Sequence, residues 1–268
     1  MVTNRRTELK LIPYIGCKAG FAEIFDKIIP DDAGHIYDIF GGGGGFTFYA
    51  CNRFGSKNVT YNDHNPTMVN LMRALQKRPK ELYDEYQRHS SKSGPEYYLA
   101  VREENLDDGT RGAGRFFYLA KNAFSGKIRF NSSNKFNTPM RKSPRCPQVD
   151  KDELLRLSDL MQDLKITDKG FEHYAGTRGG LMYLDPPYMN NTNSHYNATI
   201  PPADFAAFVS EIRKHSKVVI SEQNNLESIG IPGFNQRLVR LQRSLQYFTQ
   251  RDSTEVIAFN YEVEGLPG

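Results

Sequence analysis

The chain carries the tetrapeptide Asp185-Pro186-Pro187-Tyr188 directly after the apolar run Gly180-Leu181-Met182-Tyr183-Leu184. The Asp185 carboxylate and the carbonyl of the next residue, stiffened by two prolines, make two hydrogen-bond acceptors side by side. Two neighbouring acceptors suit an amino group. An exocyclic amine conjugated to a purine ring is a poor nucleophile, because its lone pair is delocalised. Acceptors pulling on both of its hydrogens favour the pyramidal, attacking form, and the Tyr188 ring can stack on the base. A proline-rich turn with no chemistry is the alternative reading of these four residues taken alone.

A second group lies upstream. Asp38-Ile39-Phe40 runs into five consecutive glycines, 41–45, and Asp63 follows about twenty residues later at the end of the next apolar run. Glycines allow close backbone approach to a bound molecule and positive φ. The loop lacks the Lys-Ser/Thr ending of a phosphate-binding P-loop, and poly-glycine satisfies GxGxxG trivially, so alone it also reads as a flexible turn. Paired with a carboxylate able to accept both hydroxyls of a ribose, it points to an adenosine-containing cofactor.

The elements that would position these residues follow from hydrophobic periodicity. Residues 35–40 read as a strand before the glycine loop and 46–54 as a helix after it; 57–61 and 66–76 repeat the pattern. Strands are predicted at 180–184 and 217–221 with a helix at 203–215 between them, and a last strand within 254–261. Alternating βα units predict a Rossmann-like α/β fold, a mostly parallel sheet with helices on both faces and ligands beyond the carboxyl ends of its strands. The stretch from residue 77 to 146 breaks the alternation. It is expected to be an inserted, mainly helical recognition domain with a hairpin, between catalytic segments 1–76 and 147–268.

Composition narrows the function classes. With 38% hydrophobic and 25% charged residues over 268 positions, the chain has the means to build a core. No apolar stretch is long enough to span a bilayer, and the first residues lack a secretion-signal pattern, so a cytoplasmic protein without membrane contact is expected. Cys17, Cys51 and Cys146 have no disulfide or zinc spacing, and the six histidines have none that suggests metal or general-base duty, so no metal is expected. Net charge is only +4, but nine Arg or Lys and no Asp or Glu fall between Arg111 and Arg145, interleaved with aromatics. Such a block is either a solvated loop or a nucleic-acid surface. Cys146-Pro147 does not otherwise fit a cysteine-dependent cytosine mechanism. Tyr196, after the tetrapeptide, is either a lid over the pocket or ordinary loop packing.

Together the motifs resemble the Dam-like (D12 class) DNA adenine-N6 methyltransferases over almost the whole chain. The resemblance rests on Pro13-Tyr14-Ile15-Gly16-Cys17-Lys18, the loop from Phe40 to Gly44, Asn62-Asp63, and the block running from Asn122-Ala123-Phe124 through Lys127-Ile128-Arg129-Phe130-Asn131 to Asn137-Thr138-Pro139. It ends with Asp185 to Tyr188 and the tail Thr254-Glu255…Asn260-Tyr261. It implies S-adenosyl-L-methionine as cofactor and double-stranded DNA as partner, with the target adenine flipped out of the helix. Tyr14 would pack beside the cofactor, and Lys18 would lie near its carboxylate. Gly16, Cys17, Asp38, Phe40, Gly41, Gly42, Gly43 and Gly44 would border it, Asp63 would hold its ribose and Phe171 its adenine. Asp185, which also borders the cofactor, would hold the target base with Pro186, Pro187 and Tyr188. Arg129 matches a base-reading arginine and Phe124 an aromatic pressed against the opened stack. Arg115, Asn122, Ser125, Lys127, Asn131, Asn137, Pro139, Arg141 and Lys142 would complete the DNA-binding set.

The chain departs from the family pattern in three places: Cys17 replaces a glycine, Asp38-Ile39 stands for Glu-Pro, and Lys127 sits where an apolar residue is common. The last bears on the GATC target that the resemblance carries. The competing readings are methylation of another planar amine, such as an RNA adenine, and a catalytically silent nucleic-acid-binding subunit of the same fold. A monomer is expected, with dimerisation on DNA as the alternative. A solitary, phage-borne or restriction-modification setting would look alike.

Overall fold

The computed structural model describes residues 10–13, 18–106, 108–131, 133, 135–143, 145–187, 200–222, 226–243 and 251–263. In chain order the elements are α1 (Ala22–Ile28), β1 (Ile36–Asp38), α2 (Gly45–Phe54), β2 (Val59–Asn62), α3 (Pro66–Lys77), α4 (Pro79–Ser90), α5 (Pro95–Glu103) and α6 (Gly109–Lys121). They continue with α7 (Lys151–Leu160), β3 (Lys165–Thr167), β4 (Leu181–Leu184), α8 (Pro202–Ile212), β5 (Lys217–Glu222), β6 (Asn235–Arg243) and β7 (Arg251–Phe259).

The strands form one seven-stranded sheet in the order β3-β2-β1-β4-β5-β7-β6. The first five are parallel, whereas β7 runs antiparallel to both β5 and β6. Every residue of β2 and of β4 is buried, as a strand covered on both faces requires. Side chains alternate between two cores. Leu181, Tyr183, Val219, Ile257 and Phe259 face one, with Phe25, Phe46 and Phe48. Met182, Leu184, Val218, Ile220, Val256 and Ala258 face the other, with Phe205, Phe208 and Val209 of α8.

The chain winds outward from β1 to β2 and β3, then returns to place β4 on the other side of β1. That reversal is the topological switch point, and in open α/β sheets ligands bind at the carboxyl ends of the strands beside it, here β1 and β4. Asn65 starts α3 by accepting from the Thr67 amide ahead of Pro66, so the chain turns away immediately after Asp63.

Helices α4 to α6 occupy the predicted insertion but do not have a core of their own. Leu82, Tyr86, Tyr98, Phe116 and Phe117 belong to the same apolar cluster as α3 and α7. After α6 the chain forms a bridged loop. Ala123 pairs with Met140 and Phe130 with Phe136, both antiparallel. Strands β3 and β6 and helices α1 and α7 are not among the sequence expectations. No helix among the described residues is long and apolar enough to cross a membrane.

Candidate active site and nucleic-acid interface

Asp38 ends β1 and Asp185 follows β4, so the switch point itself sets them on adjacent strands. Asp38 is fully buried. One carboxyl oxygen accepts from the Thr47 hydroxyl at 2.6 Å, and the other, Oδ1, has no hydrogen-bond partner among the described residues. Burial pushes its carboxyl up to about 8, with the charges of Asp185 and Asp63 adding to the rise and Thr47 opposing it. At neutral pH it is therefore mostly a neutral acid able to donate a hydrogen bond.

The glycine loop is shaped first by its own neighbours. A Cβ on Gly41 would stand 2.2 Å from the Tyr61 ring, and Gly44 holds φ +79 where the chain enters α2. Tyr61 donates to the Gly42 carbonyl at 2.9 Å, and the Gly41 amide donates to the Asn62 carbonyl at 2.8 Å. Gly43 is buried within the same turn. Asp63 closes the loop. It accepts from the Gly42 amide at 2.8 Å and from the Asn65 amide at 2.7 Å. Burial raises its carboxyl above the ordinary range while these two amides work against the rise. Phe171 sits in a 3-10 turn after β3, its ring 5.9 Å from that of Phe40 and edge-on to Phe208 at 5.1 Å. The glycine loop, Asp63 and the Phe40–Phe171 pair thus lie along one sheet edge.

Asp185 is half-buried, Pro186 buried and Pro187 half-buried. Lys18, 3% exposed, donates to both oxygens of Asp185 at 2.8 Å and lies 2.8 Å from Glu255 Oε1. The ammonium expected near a cofactor carboxylate is thus engaged by two protein carboxylates. Glu255 and Ser221 were not recognised from sequence as site residues. The only signal was Glu255's place in the tail motif, which carries no hint of a contact across the sheet. Tyr14, Gly16, Cys17, Tyr188 and Tyr196 lie outside the described residues.

An S-adenosyl-L-methionine molecule fits this edge on chemical grounds. Among the described residues of this edge, and with Asp38 neutral, Asp63, Asp185 and Glu255 still outnumber the one lysine, Lys18, which favours a sulfonium and an ammonium. Asp38 presents a buried oxygen with no partner among the described residues, Asp63 can receive hydroxyls, and Phe40 with Phe171 can flank an adenine.

The bridged loop after α6 carries the expected DNA residues unequally. Side chains alternate: Ile128, Phe130, Phe136 and Thr138 are buried, whereas Lys127 and Arg129 are half-buried and Asn131, Asn137 and Pro139 exposed. The Asn137 amide donates to the Arg129 carbonyl at 2.9 Å, and that of Phe124 to Pro139 at 2.9 Å. Phe124 is 38% exposed, one of two exposed large apolar side chains among the described residues, and the adjoining Ser125 adopts φ 54. Gly126 abuts Pro13, so the loop begins against the opening motif. Arg141 is half-buried and Lys142 exposed.

Two expectations need correction, and a third residue, Asn131, has a structural role as well. Arg115 is 4% exposed, and its guanidinium donates to the carbonyls of Val101, Arg102 and Leu106, closing the end of α5 instead of facing DNA. Asn122 is fully buried. Its side chain donates to the Tyr118 carbonyl and to Cys146 Sγ, and its backbone carbonyl accepts from the Arg141 amide. Asn131 is exposed, but its Oδ1 accepts from the Ser133 and Lys135 amides and so forms the turn. Cys146 is a strut of this loop beside Tyr86, whose hydroxyl donates to the Pro147 carbonyl.

The sequence profile of the D12 class N6 adenine-specific DNA methyltransferases matches residues 14–229, most of the chain. The chain belongs to that family, and is an adenine-specific DNA methyltransferase. It is 26% identical over 219 residues to the type II methyltransferase M1.LlaDCHI of Lactococcus lactis subsp. cremoris, covering 77% of this chain and 72% of that one. It is also 26% identical over 234 residues to the type II methyltransferase M.MjaIII of Methanocaldococcus jannaschii, covering 77% and 80%. Among solved structures, the rRNA methyltransferase aviRa of Streptomyces viridochromogenes overlaps 91% of this chain and 82% of that one, at 14% identity and a TM-score of 0.40. That overlap is too loose to bear on function.

Proposed function

We propose that this chain moves the methyl group of S-adenosyl-L-methionine to N6 of an adenine rotated out of double-stranded DNA, acting as a monomer in the cytoplasm of a bacterial, archaeal or phage-infected cell. The observation that carries the reading is Asp185, ahead of two prolines at the switch point, gripped by Lys18 and facing the same edge as the glycine loop and Asp63. When bound, the cofactor supplies an electrophilic methyl on a positively charged sulfur. The protein's part is positioning and electrostatics. Asp63 orients the ribose, and Phe40 with Phe171 flanks the adenine ring of the cofactor. Asp185 and the Pro186 carbonyl accept from the two hydrogens of the target amine and turn its lone pair outward, with Tyr188 stacked on the base. The proton released from N6 leaves through the Asp185 carboxylate.

Opening the duplex costs a few kcal/mol, and Phe124 fills the opened stack. Arg129 reads a guanine from the major groove, with Lys127, Ser125, Asn137 and Pro139 around it and Arg141 and Lys142 on phosphates. GATC is the first target to assay. Asp185→Ala should lower single-turnover transfer by about 10²–10³-fold or more while cofactor affinity is largely retained. Transfer at the wild-type rate in that variant would overturn the mechanism.

A further inference from the structure

The sheet's antiparallel return strand brings a second acid to the site. β7 pairs with β5 through Ser221↔Ile257 and Glu222↔Val256, and Glu222 is the last residue of β5. The residue of β7 just before Val256, Glu255, therefore lies over the carboxyl edge of the sheet, where the parallel strands end. It is 1% exposed. Its Oε1 accepts from the Ser221 hydroxyl at 2.6 Å and stands 2.8 Å from Lys18 Nζ, which donates to both oxygens of Asp185. Ser221, Glu255, Lys18 and Asp185 form one connected line from the antiparallel strand to the acid placed against the substrate amine.

We infer that Glu255 is a positioning residue for methyl transfer, acting on Asp185 through Lys18. The proposal rests on the assignment of Asp185 as the acceptor of the target amine. A lysine pressed on both oxygens of a carboxylate competes with the substrate for the same lone pairs. A second carboxylate drawing on the same ammonium divides that charge. It holds the lysine through a second contact, so Asp185 is oriented without being neutralised. Ser221 anchors Glu255 in turn. The buried position is costly for a carboxylate serving only the fold, since a well-packed apolar residue would serve as well there.

The test measures single-turnover transfer to duplex DNA by the full-length chain carrying Glu255→Gln, Glu255→Asp, Lys18→Met or the Glu255→Gln/Lys18→Met pair, with Asp185→Ala as reference. Glu255→Gln keeps shape and hydrogen bonding but loses the charge. It should slow transfer by about tenfold or more, with cofactor and DNA dissociation constants within about twofold of wild type. Glu255→Asp should recover part of the loss. In the Lys18→Met background the same glutamine should change the rate by less than about twofold, because the link it acts through is gone. A wild-type transfer rate in Glu255→Gln, or equal losses in both backgrounds, overturns the proposal. Should Lys18→Met fail to fold, Ser221→Ala replaces it. That variant loosens Glu255 without removing a charge, and an unaltered rate there overturns the proposal too. Asp185→Ala transferring normally would instead overturn the reading on which the proposal stands, a result separable from any obtained at Glu255.

Discussion

Asp38 illustrates how one buried side chain ties stability to pH. Its carboxyl is raised from 3.8 to about 8, chiefly by burial. The unfolded chain gives up this proton near pH 4, whereas the native chain keeps it to about pH 8. Between those values the native state binds more protons, so this residue's contribution makes stability fall as pH rises, by up to about 1.4 kcal/mol per pH unit. Above pH 8 the contribution levels off. Asp38→Asn, which keeps the shape and remains neutral, should remove that slope, so it should gain on the wild type between pH 5 and pH 8 in urea denaturation. Parallel stability profiles for the two proteins would show that Asp38 titrates normally. The residue scale is also where sequence reading went furthest astray. Counting charge marked Arg115 as a DNA contact, but its guanidinium is spent on three carbonyls at the end of α5. Composition reports that a cation is present. It does not report which face of a helix carries it.

Among the elements, the strands that define the site were legible because their apolar runs stop at chemically distinctive residues. β1 ends at the glycines, β2 at Asn62-Asp63 and β4 at Asp185-Pro186. β3 and β6 were not legible for the opposite reason. Lys165-Ile166-Thr167 is three residues at a sheet edge, and Asn235–Arg243 carries Gln236, Arg237, Arg240 and Gln242 between its apolar positions, a pattern that also suits a surface loop. With β6 missed, nothing in the sequence showed that β7 returns antiparallel to β5, the pairing that delivers Glu255. The bridged loop after α6 was legible as a basic, aromatic block. Its period of two, with Ile128, Phe130, Phe136 and Thr138 inward, appears only once Phe130 is seen paired with Phe136. That alternation puts Arg129 on the outward side. Arg129→Ala should therefore cost about 1–3 kcal/mol of discrimination at one base pair of the target, with cofactor affinity and melting temperature unchanged. Competition assays with single-base-pair variants of the target read this directly, and an unaltered site preference would remove Arg129 from the recognition set.

At the scale of the whole molecule, one sheet serves both halves of the work. Its carboxyl edge gathers Asp38, Asp63 and Asp185 with Lys18 and Glu255. Helices α4 to α6, which share a core with α3 and α7, support a loop that starts against Pro13 of the opening motif. Family membership establishes adenine-specific DNA methylation. The central claim beyond it is that this chain uses S-adenosyl-L-methionine and duplex DNA by the arrangement described. The most direct test incubates the purified protein with methyl-labelled S-adenosyl-L-methionine and unmethylated duplex DNA, then digests the DNA and identifies the labelled nucleoside by mass spectrometry. Label in N6-methyladenosine of the deoxy series, dependent on Asp185, is the predicted result. Label in another nucleoside, or in RNA but not DNA under the same conditions, would contradict it.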